Sequence, residues 1–295
     1  MAAPTFCDPD PDDAGSVGEQ EAQGVRGLFT AHRDNYFTTG YTRDQRGEKN
    51  QVSFQVSVKF NLTPAWARCS VFFGYTQRSF WDLWSSSSPF EDNNYNPEIF
   101  FGYRAHDFAS THWKPKQGWQ LFHAYAGVEH ESNGLSGPSS RGWNHAFAST
   151  RLGNYGFACP SCYVAFTAKA WLPFGYGRDA DGGGNPDILD YYGLGELAVE
   201  VGYDTPPEVP TSSRNASSLI VAGAMARKGL AAGKGNLRSW IRVRSPWSWL
   251  AVSLYAAAFV GYGENLLFYD QRRTTIRLGL ALDDRLFAQA NPFFE

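Results

Sequence analysis

The chain has 295 residues and a formal net charge of −3, with Lys and Arg scattered along it, so there is no basic patch and nucleic acid is not an expected partner. Hydrophobic residues make up 43% and aromatic residues 16%, which is enough for a large buried surface and leaves an excess of rings like that in the girdles of outer-membrane barrels. A mean hydropathy of −0.39 argues against an α-helical membrane protein: the one long uncharged run, Ser245 to Gly263, is diluted with Ser, Gly, Trp and Tyr and reads as a strand with its turn, not as the roughly 20-residue apolar helix that a bilayer demands.

At the N-terminus Met1 is followed by Ala-Ala-Pro-Thr with no apolar core, and the expectation is that an export signal has been removed. Residues 1–26 are read as a mobile arm, acidic and almost free of large apolar side chains between Asp8 and Gly24. No repeat or linker follows, so residues 27–295 are expected to form one domain. Its dominant period is 2. From Asn50 to Leu62, Val52, Phe54, Val56, Val58, Phe60 and Leu62 share one face, and Gln51, Ser53, Gln55, Ser57, Lys59 and Asn61 share the other. The same alternation recurs through Tyr163–Leu172, Glu196–Val201 and Thr275–Leu282.

Reading on in this way predicts about twelve strands, near residues 28–42, 50–63, 68–80, 96–108, 118–131, 143–153, 162–173, 190–203, 216–227, 236–245, 247–261 and 273–284. Several reach the roughly 9–11 residues that cross a bilayer. The fold class expected is therefore all-β, a twelve-stranded antiparallel transmembrane β-barrel. Lys59, Lys169, Glu196, Glu200, Arg238, Arg242 and Arg277 fall on polar faces, which such a barrel turns inward. With both termini on the periplasmic side, the outward loops would include 81–95, 132–142, 174–189 and 262–272. Cys159-Pro-Ser-Cys162 would then lie at a periplasmic turn, where a disulfide is the plain expectation, with Cys7 and Cys69 free.

The chemistry concentrates in Glu129-His130-Glu131-Ser132-Asn133-Gly134 and in Ser140-Arg141-Gly142-Trp143-Asn144. A His and a Ser two apart on a strand project to one face with Cα atoms about 6.8 Å apart. His130 can then take the Ser132 hydroxyl proton and make a nucleophile. Asn144 opens the next strand, where hairpin pairing brings its amide oxygen beside the imidazole to hold the tautomer. Gly134 leaves its N–H free to approach a developing oxyanion. His130 shares parity with Phe122, Ala124, Ala126 and Val128, and Asn144 shares it with Ala146 and Ala148. In a barrel the set therefore faces lipid. A paired-carboxylate reading of Glu129 and Glu131 is set aside, because nothing else resembles a sugar site.

The sequence resembles the Gram-negative outer-membrane phospholipase A family. The resemblance is carried, in order, by Tyr75-Thr76-Gln77 with Trp81, Ser87-Ser88-Pro89-Phe90, Asn94-Tyr95-Asn96-Pro97-Glu98, His130 to Gly134, Ser140 to Asn144, Asn185-Pro186-Asp187-Ile188 and Gly261-Tyr262-Gly263-Glu264, over roughly residues 28–287. It implies a bacterial outer-membrane enzyme hydrolysing acyl esters of phospholipids and lysophospholipids, with Ser132 as nucleophile, His130 as base and acid, Asn144 as orienting residue and Gly134 as oxyanion donor. It also implies activation by calcium (Ca2+) through a reversible homodimer. The calcium ligands carried over are the Ser140 hydroxyl and Leu135 carbonyl of one chain and Ser87 of the other, and Gln77 matches a polar residue at the dimer interface. Departures are Leu135 in place of a basic residue, Gly137 and Gly184 where family members can carry Asp for a second calcium mode, a longer segment between Phe100 and Gln120, and residues 288–295 beyond the last strand. The main alternative, a non-catalytic pore or structural barrel, accounts for the alternation but not for three catalytic residue types on one lipid face. A soluble secreted sandwich would leave large apolar patches exposed.

Overall fold

The computed structural model describes residues 29–63, 69–104, 118–203, 219–245 and 251–282; the expected arm at 1–26 and the extension at 288–295 lie outside the described residues. In order come β1 (Phe29–Ala31), β2 (Tyr36–Asp44), β3 (Gly47–Asn61), β4 (Cys69–Trp81), β5 (Phe90–Arg104), β6 (Gly118–Ser132), β7 (Gly142–Tyr155), β8 (Cys162–Phe174), helix α1 (Ile188–Tyr192), β9 (Gly195–Tyr203), β10 (Ile220–Lys228), β11 (Gly235–Arg244), β12 (Val252–Gly261) and β13 (Arg273–Leu282). From β2 onward each strand pairs antiparallel with the next, and β13 closes back on β2. β1 and β2 lie along the same edge of β3, on Val58–Phe60 and Gly47–Gln55 respectively, so the closed barrel has twelve strand positions, as the alternation predicts. Closure leaves none of the strands β2 to β13 with a free side, which is what hydrocarbon surroundings require of a spanning sheet; β1 pairs with β3.

Polarity is inverted relative to a soluble protein. On β3 the polar row Gln51, Ser53, Gln55 and Ser57 is buried in the lumen, while Val56 and Leu62 of the apolar row are exposed. The inward charges pair: Lys169 and Arg33 with Glu129, Arg151 with Glu200 at 2.6 Å, Arg227 with Glu196 at 2.8 Å, and Arg273 with Glu91 at 2.9 Å. At the end of the barrel that carries Ser132, α1 and residues 262–272 fold into the mouth. There Ile188, Tyr192 and Leu266 pack on Trp143, Phe147 and Trp171. Behind this plug lies a cavity of about 530 Å³, lined by charged and aromatic groups including His32, Arg33, Lys59, Glu98, His123 and Arg151.

Five details depart from the sequence reading. The single strand expected at 28–42 is broken at 32–35, because His32-Arg33-Asp34-Asn35 offers no apolar residue for the lipid face. These residues turn inward, and the Asn35 side chain takes over both main-chain groups of Ser57, at 2.7 and 3.0 Å. β5 begins at Phe90 rather than 96, since Asp92 and Asn94 are polar groups facing a polar interior and bond the 262–272 loop there. β9 begins at Gly195 rather than 190, the preceding residues being α1. A bulge between Leu121 and His123 turns Phe122 into the lumen against Tyr155 and Tyr163, so it does not share the outer face with His130. Finally, Cys159 and Cys162 are bonded to one another as expected, but Cys69 is also disulfide-bonded and not free, for separation along the chain says nothing about separation in space.

The inverted polarity yields a direct test. Leu278, 64% exposed on the outer face of β13, is expected to tolerate Ala, whereas Leu278→Arg should cost about 2–4 kcal/mol if the residue lies near the bilayer midplane. Reversible denaturant unfolding in phospholipid vesicles reads the difference, and equal stability of the two variants would contradict a lipid-facing position.

Candidate active site

The β6–β7 hairpin brings the central pair together. His130 and Asn144 are direct cross-strand partners, and His130 Nδ1 lies 2.8 Å from Asn144 Oδ1. An amide oxygen can only accept, so this contact requires the Nδ1–H tautomer and leaves the Nε2 lone pair free. Asn144 is itself held, its Nδ2 donating to the Gly175 carbonyl at 3.1 Å. Ser132 lies two residues beyond His130 on the same face, opposite Gly142 on one side and Tyr95 on the other. Among the described residues its hydroxyl makes no hydrogen bond, so the expected Ser132–His130 contact is not closed here. Such contacts often tighten only when substrate is bound.

The loop after Ser132 is built around Asn133, a residue given no role in the motif that contains it. Its Oδ1 accepts from the amides of Arg141 at 2.9 Å and Leu135 at 3.3 Å, and its Nδ2 donates to the Ser139 carbonyl at 2.9 Å. These bonds fold 133–141 back beside the strand end. Gly134 adopts φ +66°, and a Cβ there would come within 2.9 Å of the Tyr95 ring, so both backbone and space demand glycine. The loop between β8 and β9 then docks on it. Asn185 Oδ1 accepts from the Gly142 amide at 2.8 Å, Asp181 accepts from the Gly137 amide at 2.9 Å, and the Ser140 hydroxyl donates to Asp179 at 3.0 Å. No signal within 133–141 points to Asp179 or Asp181, which arrive from about forty residues further on.

Gly137 and Gly184 carry no side-chain donor, but Asp179 and Asp181 bring carboxylates to the same place. At Ser140 the groups brought together are oxygens, its hydroxyl and the Asp179 carboxylate; the Leu135 carbonyl, in the same loop, accepts no hydrogen bond from the chain among the described residues. This donor set suits a hard cation such as calcium. No group of three or more His, Cys, Asp or Glu side chains converges as a metal cage among the described residues, so a cation here would need further oxygens. Ser87 is exposed in the β4–β5 turn with φ +61° and does not meet Ser140 within the chain. Gln77 is on the outer face of β4, where its side chain accepts from the Tyr75 hydroxyl at 3.1 Å and donates to Ser79 at 3.3 Å. The register sets Gln77 opposite Tyr95 and Tyr95 opposite Ser132, so these three form one row across β4, β5 and β6.

In the loops that fill the mouth, electrostatics fix two protonation states. Burial raises the Tyr269 hydroxyl pKa, and its hydrogen bond to Asp187 raises it further, so the phenol remains a donor. Burial opposes the charge of Glu264, yet Arg277 and Arg78 overcome it and hold the carboxyl below its ordinary range.

The family described as phospholipase A1 matches residues 26–282. The chain is 31% identical to phospholipase A1 of Salmonella typhimurium over 252 residues, covering 83% of this chain and 73% of that one. It is 30% identical to phospholipase A1 of Klebsiella pneumoniae over 273 residues, covering 87% and 83%. Among solved structures it resembles outer membrane phospholipase A from Escherichia coli, with a TM-score of 0.63, 27% identity and coverage of 85% and 90%. The calcium-bound dimer of the Salmonella typhi outer membrane phospholipase gives a TM-score of 0.65 at 27% identity, covering 86% and 91%. An asparagine-to-alanine active-site mutant of the Escherichia coli protein gives 0.65 at 27%, covering 87% and 92%.

The loop geometry predicts that Asn133→Ala, which strands the Arg141 and Leu135 amides and the Ser139 carbonyl, costs about 1–3 kcal/mol locally. Amide hydrogen exchange across 133–141 should accelerate while the barrel strands stay protected. Unchanged exchange in the loop would show that Asn133 is not its organiser.

Proposed function

We propose that this chain, which belongs to the phospholipase A1 family and is a phospholipid ester hydrolase of the outer membrane, works through Ser132 as nucleophile, His130 as general base and acid, and Asn144 as the group that orients the imidazole. The observation that carries the proposal is the 2.8 Å contact between His130 Nδ1 and Asn144 Oδ1 on the lipid-facing side, with Ser132 two residues along the same face. An asparagine-to-alanine active-site mutant of the Escherichia coli relative supports the part given to Asn144.

In this reading His130 Nε2 accepts the Ser132 proton as Oγ attacks the ester carbonyl of a phospholipid lying beside the barrel. The Asn144 amide oxygen stabilises the imidazolium that forms without taking its proton. The Gly134 N–H meets the oxyanion, and its left-handed backbone aims that donor. His130 then returns the proton to the departing lysophospholipid oxygen, and a water activated in the same way releases the fatty acid. Cleavage at either acyl position, and of lysophospholipids, belongs to the same reading, with the reacting groups on the outer wall of the barrel.

Calcium belongs to the same proposal. The Ser140 hydroxyl and the Leu135 carbonyl would hold it, with Ser87 supplied by a partner chain, and when bound it would supply positive charge and ordered waters to polarise the ester carbonyl. The calcium-bound dimer of the Salmonella typhi relative supports this reading. Homodimerisation also fits Gln77, a polar side chain on the outer face of β4: it is bonded along its own strand to Tyr75 and Ser79, and its second N–H and remaining lone pair could be met across an interface. Because Gln77, Tyr95 and Ser132 share one row, an interface on Gln77 would reach the site.

Ser132→Ala is expected to abolish fatty-acid release from phospholipid by detergent-refolded protein, leaving a heat-modifiable barrel; retained turnover would move the nucleophile elsewhere. Excess chelator should stop the wild-type reaction. Ser87→Ala and Ser140→Ala should each raise the calcium needed for half-maximal rate without altering unfolding. If neither variant changes the calcium dependence, the shared metal site is wrong, although the hydrolase can stand.

A further inference from the structure

The ladder between β5 and β6 is interrupted beside His130. Its register runs from Arg104↔His123 to Glu98↔Glu129, skips Pro97 and Asn96, and resumes at Tyr95↔Ser132. On its other edge β5 keeps unbroken register with β4 through Tyr75↔Pro97 and Thr76↔Asn96. The missing hydrogen bond is therefore on the β6 side. In this register the amide of residue 97 would point at the His130 carbonyl, and proline has no N–H to give. Such a residue is unusual within a closed sheet, where every strand is flanked on both sides.

The His130 carbonyl is nevertheless paired. Asn96 Nδ2 donates to it at 3.1 Å from inside the lumen, where Asn96 is buried. The other end of that amide is also fixed, because Asn96 Oδ1 accepts from Arg33 Nη2 at 3.2 Å. The same guanidinium nitrogen donates to Glu98 at 3.2 Å and to Glu129 at 3.0 Å. Arg33 reaches this position because residues 32–35 leave the wall of the barrel. With its oxygen on Arg33, the amide must turn its NH2 toward His130.

We propose that Asn96 is a positioning residue for His130. Its side-chain amide replaces the ladder bond that Pro97 cannot form, and Arg33 sets the orientation of the amide. The proposal rests on the reading of His130 as the catalytic base. The main chain at His130 is thus held from the lumen by a side chain, while the imidazole works on the opposite, lipid-facing side. Losing this tie frees the backbone of His130 and Glu131 on the β5 side and lets the imidazole drift relative to Ser132.

Pro97 makes the idea separable from a general need for Asn96 in folding. Asn96→Ala should lower kcat by about 10-fold or more with KM unchanged, because misplacement by a fraction of an ångström to an ångström acts on the chemical step. Pro97→Ala alone should keep wild-type activity. In the double variant Asn96→Ala/Pro97→Ala the new backbone N–H can donate to the His130 carbonyl, and kcat should recover most of the loss. Heat-modifiable mobility on gels checks the barrel in each case. Wild-type kcat in Asn96→Ala overturns the proposal, and so does a loss that Pro97→Ala fails to restore, which would trace the effect to the Arg33 cluster. If Asn96→Ala does not fold, Asn96→Asp, which keeps the shape but removes the donor, is measured with and without Pro97→Ala and read the same way. His130→Ala is run alongside: hydrolysis surviving in it would overturn the catalytic assignment itself, whatever the Asn96 variants do.

Discussion

Hydrocarbon offers no hydrogen-bond partner, so every backbone N–H and C=O in the spanning strands has to be paired within the protein. Twelve strand positions closed into a ring meet that demand almost everywhere. Besides the bulges, two interruptions are instructive because an asparagine side chain takes part in mending both. Where residues 32–35 leave the wall, the Asn35 side chain bonds the amide and carbonyl of Ser57. Where Pro97 removes a donor, the Asn96 side chain bonds the carbonyl of His130. An asparagine amide matches a peptide group in donor, acceptor and size, so it can stand in for a missing rung.

Closure also dictates the inverted polarity. With apolar side chains committed to lipid, the lumen receives the charges, and buried charges must be paired. Glu129 is surrounded by Lys169, Arg33 and His145, and Glu264 by Arg277 and Arg273. Toward the end bearing Ser132, α1 and residues 262–272 fill the mouth with Ile188, Tyr192 and Leu266. A filled mouth is the opposite of what a passive pore needs, which agrees with a reading that puts the chemistry on the outer wall.

Alternation then assigns the ionic network and the proposed chemistry to opposite faces of the same few residues. Along Glu129-His130-Glu131-Ser132, the two glutamates point inward, to Lys169 and Arg33 and to the Trp143 indole, and His130 and Ser132 point outward. A rigid ionic lumen therefore backs a site that faces lipid. With His130 and Ser132 proposed as the reacting groups, the chemistry of a phospholipid ester hydrolase would lie on the wall that its substrate surrounds.

Period-2 alternation was readable directly, since it depends only on which neighbours in the chain are apolar. It predicted the strand count and the inward charges, and the parity of His130, Ser132 and Asn144. Motif order extended this to the family and its chemistry. The alternation count passed over the break at 32–35, although its run of polar residues was there to be read, and local pattern could not reveal the bulge that turns Phe122 inward, which is set by pairing with β7, or the disulfide at Cys69. Nor could it find Asn133, Asp179 or Asn96, whose partners are loop amides, a serine or a main-chain carbonyl up to 39 residues away. A strand's periodicity records only whether a position faces lipid or lumen. Which groups meet there depends on register between strands, and register exists only once the barrel has closed.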